Sequence, residues 1–466
     1  MFSELNVEIL ARVQFAVTIM FHYIYPPLSI GLGLILVIIE ALYLKTKDHF
    51  YLKMAKFWTK VFALTFALGV ATGIVMEFEF GTNWATYSRY VGDVFGSALA
   101  AEGVFAFFLE SGFLAILLFG WDRVGPKTHF FATLMVCLGA HFSAIWIIVA
   151  NSWMQTPAGF HIVGDGMFAR AEIVDFWAMV FNPSSVDRLL HSVIGAWLAG
   201  SFLVISVSAY YLLKSRHLDF AKSSLKIGVV VATVSCVLQV ISGDSSAKGV
   251  AKNQPAKFAA FEGLFRTEAE VPLVLFGIVN TKEERIDYSI SIPKLLSWMT
   301  FKDFSAEIKG LNNYPKADWP NTKAVFQTYH LMIYMWTIMF TLCIVSCYLW
   351  YTGRLFTTKW MLRGLVLSVL CPQIANQAGW VTAEMGRYPW IVQNHLRISE
   401  GLSKAVTANQ ILGSLLLFSF LYFLLFIVFL YLLNEKFKVG PESYTFGPAP
   451  YHQIGNQIGA LPEELL

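Results

Sequence analysis

The chain has 466 residues, of which 56% are hydrophobic, 16% aromatic and only 14% charged, against about 25% charged in an ordinary soluble domain. With a mean hydropathy of +0.57 and a net charge of +3, it reads as neither a soluble globular protein, a disordered chain nor a nucleic-acid binder. What remains is an all-α integral membrane protein in which one bundle uses the whole length, 1–466.

Glu4 and Glu8 precede the first apolar run, where a secretory leader would carry basic residues, so the first helix is expected to stay in the protein. A membrane-crossing helix needs roughly 20 apolar residues. Nine runs qualify, at about 11–43, 56–80, 95–120, 129–150, 188–213, 225–242, 326–352, 362–385 and 408–433. The run at 225–242 is short. The run at 362–385 carries Pro372, Gln373, Asn376 and Gln377, which suits a helix facing a protein interior or a cofactor. The five cysteines all lie in apolar runs without a C-x-x-C pair, which argues for buried thiols rather than a zinc or iron–sulfur site.

Basic residues set the orientation. Segments 44–60, 121–127, 214–226, 353–363 and 434–438 are Lys/Arg-rich, and nine spans put all of them on one side, which is expected to be cytoplasmic. The N-terminus is then outside and the C-terminus inside. The long connection at 243–325, between the sixth and seventh spans, lies outside, and its mixed charge and amphiphilic pattern predict a folded segment.

Charged groups within spans are costly and mark sites by default. These are His22, Glu77, Glu79, Glu102, Glu110, His141, His191, His330, Glu384 and Arg387. Glu40 and Glu77, near helix ends, also suit simple snorkelling to the interface. A lone His such as His22 is more often a hydrogen-bonded structural residue than a ligand. Gly195 and Ala196, one turn from His191, leave room for a flat macrocycle or for close helix packing. Met332 stands at the outer end of the seventh span, at the depth of His191, and His with Met is a known axial pair for low-spin haem. Met335 is a substitute one turn on. His330 lies about 200° round the helix from Met332, so the two cannot face one iron. Glu102 and Glu110 are separated by about 12 Å along a helix and about 80° around it, plausible stations for a proton. Glu384 and Arg387 read either as an i,i+3 ion pair or as a carboxylate facing an iron beside a propionate-binding Arg. No His cluster suits a copper centre.

Several stretches are long and chemically odd for a membrane: R-V-Q-F-A-V-T-I-M-F-H, G-I-V-M-E-F-E-F-G-T-N-W, D-V-F-G-S-A-L-A-A-E-G-V-F-A-F-F-L-E-S, F-G-W-D-R, W-I-I-V-A-N-S-W-M-Q-T-P-A-G, L-H-S-V, K-F-A-A-F-E and E-M-G-R-Y-P-W. Through them the chain resembles subunit I of a cytochrome bd-type quinol oxidase over nearly its whole length. The resemblance implies a bacterial inner-membrane quinol:oxygen oxidoreductase with two haem b groups and one haem d, a haem b replacing haem d in some members. It implies His191 and Met332 as low-spin haem b ligands, and His22 and Glu384 as ligands of the two high-spin haems, without saying which holds which. Glu102, Glu110 and Ser143 match the proton route. Arg12, Trp380 and Arg387 match the haem-pocket lining, and Lys257 with Glu262 the quinol pair of the Q-loop, here in its short form. A second membrane subunit and a small single-helix subunit are the implied partners, with quinol and oxygen as substrates.

The sequence departs from the family pattern at His330, where Arg is usual two residues before the Met ligand, and at Tyr388, where Gln is usual. Two other readings compete. A proton-coupled transporter predicts internal repeats, which the two halves lack. A non-catalytic haem-binding assembly subunit leaves the Q-loop pair and the proton-route acids without a use.

Overall fold

The computed structural model describes residues 6–441, so Glu4 lies outside the described residues. Pro26 and Pro27 divide the first apolar run, because neither has an N–H to continue a helix. α1 (Val7–His22) starts on Asn6, whose side chain accepts from the amides of Glu8 and Ile9, and α2 (Tyr25–Thr46) follows after two residues. α3 (His49–Thr82) is capped by Asp48. α4 (Ala85–Tyr90) is a short link to α5 (Gly92–Glu102), which passes through a π-helical turn at Gly103–Phe107 into α6 (Phe108–Phe119). α7 (Pro126–Gln155) opens with Pro in its first turn, where no amide partner is lost.

A small hairpin, β1 (Phe160–Val163) with β2 (Arg170–Ile173), and α8 (Phe176–Val180) lead to α9 (Ser185–Leu213) and α10 (Leu218–Asn253). α10 outruns the predicted sixth span, so the first eleven residues of the 243–325 connection are helical. The rest is folded, as its pattern predicts. It holds α11 (Pro255–Glu262), β3 (Glu268–Ala269), β4 (Leu273–Asn280), β5 (Arg285–Ile292), α12 (Leu295–Phe301) and β6 (Glu307–Ile308). These pack round a core of their own that includes Phe258, Phe261 and Phe326.

α13 (Thr322–Tyr351) re-enters the bundle, and α14 (Lys359–Leu367) and α15 (Leu370–Met385) form a broken span. Pro372 causes the break, since its ring excludes the carbonyl of Ser368 from a helical bond. β7 (Trp390–Val392), β8 (Leu396–Arg397) and α16 (Ile398–Gly401) precede α17 (Ala408–Val439).

Seven helices among the described residues are long and apolar enough to cross a membrane. The other two predicted spans are the interrupted segments at 92–119 and 359–385. The protein is thus an all-α, multi-pass membrane protein with four two-stranded sheets in its connections. α9 is buried on nearly all sides at the centre, and α17 is largely exposed at the periphery.

α2 and α9 cross with their backbones in close contact. A Cβ added at Gly31 would lie 2.3 Å from Ala196 O and 2.7 Å from Gly200 N. Small residues let two backbones meet at this distance. Gly31→Val is expected to cost more than the ~1–3 kcal/mol of ordinary overpacking, because the obstructing atoms are backbone. The yield of monodisperse detergent-extracted protein measures it, and wild-type yield would contradict the crossing. Glu40 does not snorkel: it is buried, accepts from Thr133 Oγ1 at 2.7 Å and meets His129 Nδ1 at 3.0 Å.

Candidate functional site

A cavity of about 1490 Å³ runs between the helices, larger than the roughly 300–1,000 Å³ of a usual small-molecule pocket. All twelve candidate residues line it: Arg12, His22, Glu102, Glu110, Ser143, His191, Lys257, Glu262, Met332, Trp380, Glu384 and Arg387. Glu77 also lines it, whereas Met335 does not.

His22 ends α1 just before the Pro break. Its Nδ1 is 2.9 Å from Thr72 Oγ1, and that hydroxyl spends its one proton on Leu68 O at 2.7 Å. The imidazole therefore donates from Nδ1, and its Nε2 keeps a lone pair. Thr72 is a residue that sequence reading missed. His191 Nδ1 lies 3.2 Å from Ser242 Oγ, and Gln239 Nε2 lies 3.1 Å from both ring nitrogens. Such outer partners fix the orientation of a ligating ring. Met332 is held close to α15, where a Cβ on Gly379 would lie 2.9 Å from its Sδ.

The other intramembrane histidines are engaged elsewhere. His141 donates from Nδ1 to Cys137 O at 2.7 Å and accepts from Trp197 Nε1 at 3.0 Å. His330 turns to the 243–325 connection, its Nε2 3.0 Å from Val274 O, while its Nδ1 lies 2.9 Å from Phe326 O on its own helix.

Glu384 and Arg387 do form the i,i+3 pair, at 2.5 Å. The second carboxylate oxygen accepts from Asn151 Nδ2 at 3.0 Å, and Asn151 Oδ1 in turn accepts from Arg188. Arg188 is a further, half-buried cation of the cavity wall that sequence reading missed. It lies one turn before His191, in the R-L-L-H stretch, so the signal was present. Tyr388, where the sequence departs from the family pattern, receives the Arg12 guanidinium over its ring at 4.2 Å. Trp380 packs near Tyr23, with ring centroids 6.2 Å apart.

Ser143 donates to Glu102 Oε1 at 2.5 Å. The π-helical turn between Glu102 and Glu110 corrects their expected relation. It absorbs one residue, so the angle between them falls from about 80° to about 20°. Glu110 is buried against Gly139, where a Cβ would stand 2.4 Å from the glutamate Cγ.

Lys257 and Glu262 lie on α11, above the helices, and both are buried. Lys257 Nζ donates to Gln155 Oε1 at 3.0 Å and to Ala383 O at 2.9 Å. Gln155 reaches Glu384 Oε1 at 3.5 Å, so one amide stands between the α11 amine and the carboxylate of the cavity. Burial, and then the nearby Arg188, hold the lysine well below its ordinary range. Burial pushes the Glu262 carboxyl up to about 8, against a hydrogen bond with Tyr329 that lowers it. Its Oε2 has no protein partner.

The donor set fits haem. An imidazole with a free lone pair, a thioether and a carboxylate face a large apolar space. Buried Arg188 Nε and Arg387 Nη1 on the same wall lack protein acceptors, as donors awaiting propionates would. Isolated axial ligands suffice for such a group, because the macrocycle supplies the remaining iron ligands.

Comparison with known proteins bears on the same residues. The family model for cytochrome bd terminal oxidase subunit I matches residues 10–441. Cytochrome bd ubiquinol oxidase subunit 1 of Bacillus subtilis (strain 168) is 37% identical over 452 residues, covering 95% of this chain and 96% of its own. Cytochrome bd-II ubiquinol oxidase subunit 1 of Escherichia coli (strain K12) is 33% identical, covering 93% and 97%. The solved bd oxidase of Geobacillus thermodenitrificans superposes with a TM-score of 0.86 at 29% identity, covering 94% of this chain and 99% of that one. With this family match spanning nearly all of the described residues, the chain belongs to the cytochrome bd terminal oxidase subunit I family.

Proposed function

We propose that this subunit carries three haems, oxidises quinol near its outer end and reduces oxygen to water with protons drawn from the cytoplasm. The supporting observation is that the twelve candidate residues, scattered from position 12 to position 387, line one cavity. Haem, when bound, supplies the electron carriers and the oxygen-binding iron. His191 and Met332 would hold the low-spin haem b, which would serve as an electron carrier. His22 and Glu384 hold the two high-spin haems, one of b type and one of d type, and Arg188 and Arg387 offer donors to propionates.

Lys257 orients a quinol oxygen. With two of its hydrogens directed at carbonyl oxygens, the remaining position on Nζ is left for the substrate. Glu262 accepts a quinol proton and passes it outward. Glu110, Glu102 and Ser143 carry protons in from the cytoplasmic side. Proton release outside and uptake inside build a membrane potential without a pump. A second membrane subunit, with a small single-helix one, completes the enzyme in the bacterial inner membrane.

The complex purified with its partner is expected to yield three haems per copy of this chain on extraction, and to consume oxygen with quinol. Absence of haem would overturn the reading in favour of a transporter, and haem without quinol oxidation in favour of an assembly role.

The position of Glu262 gives a pH test. A carboxyl raised to about 8 is protonated below that pH and becomes a base only above it. kcat/KM for quinol is expected to climb from pH 6 to about 8 and then level. Glu262→Gln is expected to flatten this limb and slow quinol oxidation by about 100-fold, with haem spectra unchanged and reduction by an artificial one-electron donor intact. An unaltered profile would remove Glu262 as the base.

A further inference from the structure

We infer that the β4–β5 hairpin of the outer loop is seated in the lipid bilayer, with its apolar face in the headgroup–acyl boundary of the outer leaflet. Three hydrogen bonds fix the hairpin against α13. Gln327 Nε2 donates to Gly277 O at 3.0 Å, His330 Nε2 to Val274 O at 3.0 Å and Tyr334 Oη to Leu275 O at 2.9 Å. From 327 to 334 these bonds descend about 10 Å along the helix, and Tyr334 lies about 12 Å inside the apolar run that begins near 326. The turn sits at the opposite level, where Glu284 meets Lys316, ahead of α13, at 2.9 Å. The polar turn is therefore at the water and the open end of the hairpin at membrane depth.

The surface at that depth is apolar. Tyr288-Ser289-Ile290-Ser291-Ile292 alternates, and Tyr288, Ile290 and Ile292 are 83%, 62% and 43% exposed. Phe276, paired across from Ile290, is 46% exposed. In a water-facing hairpin such an alternation turns its apolar set toward the core. Here the core side is already taken by Val279, with Ile286 packed against that cluster. The outer edge of β5 is unpaired, and unpaired backbone groups are not tolerated in hydrocarbon, which places the hairpin in the boundary layer rather than deeper. The next segment carries an exposed Trp298 with Lys302 over its ring at 4.3 Å, the residue types of a membrane interface.

The test uses the complete oxidase complex in lipid nanodiscs, with a nitroxide label on Ile290→Cys and, separately, on Lys282→Cys in the turn. Unsubstituted complex carries the background of the native thiols. Accessibility is read against oxygen, which partitions into lipid, and a water-soluble nickel chelate. The expected result is a several-fold higher oxygen-to-nickel ratio at 290 than at 282. Equal ratios would put the hairpin in water and overturn the inference. Shielding of 290 from both relaxers would also overturn it, because a second protein subunit would then cover the face. Tyr288→Cys gives a second reading of the same face if the first variant folds poorly. The readout is independent of turnover, so it stands apart from the quinol assignment.

Discussion

Replacing Met332 with Leu is expected to abolish the low-spin haem signal in a reduced-minus-oxidised spectrum, and His191→Ala is expected to do the same. Leu fills the volume but offers no lone pair to iron, so the group either becomes five-coordinate or is lost. Neighbouring residues offer no rescue. Met335 does not line the cavity, and the ring of His330 is engaged by Phe326 O on its own helix and by Val274 O of the 243–325 connection. Quinol-driven turnover should fall to background in both variants, while high-spin signals from the His22 and Glu384 positions persist. An unchanged low-spin spectrum in both would refute the assignment.

Glu110→Gln is expected to slow oxygen reduction by about 100-fold, the scale of losing one positioned proton donor, with full haem content. The amide matches the carboxyl in shape, so its packing against Gly139 is preserved, but it cannot pass on a proton. If Glu110 instead balances a buried cation from another helix, the variant would fold poorly, since that charge would be left unpaired. Haem content and proton uptake measured together separate the two. Normal turnover with normal proton uptake would end the proton-route role.

Much of this architecture was legible because the bilayer demands long apolar runs and penalises every charge within them. Glu384, Arg387, His22 and the two acids of the third run stood out as costly residues. The interruptions were less visible. Pro372 signalled one, but the π-helical turn at Gly103–Phe107 has no such mark. The use of each polar group was also hidden, because its partners lie far along the chain. Whether His22 presents a lone pair is decided by Thr72, fifty residues away. His141, equally conspicuous in sequence, is fully engaged by Cys137 and Trp197. Glu40 looked like a snorkelling end residue until His129 and Thr133 were seen to enclose it. The 243–325 connection read as folded, but that its hairpin docks on α13 was not visible in the sequence.

The wide turn between Glu102 and Glu110 acts as a phase shifter. An uninterrupted α-helix would carry the second carboxylate about 100° further round, away from the first. The spare residue cancels that rotation, so the alignment of the two acids depends on the turn keeping its wide π form for as long as it holds the extra residue. Loss of a single residue there would restore an ordinary α-helical spacing of seven and leave the acids about 20° apart, still in phase, whereas straightening the helix with all eight steps kept would turn them about 80° apart.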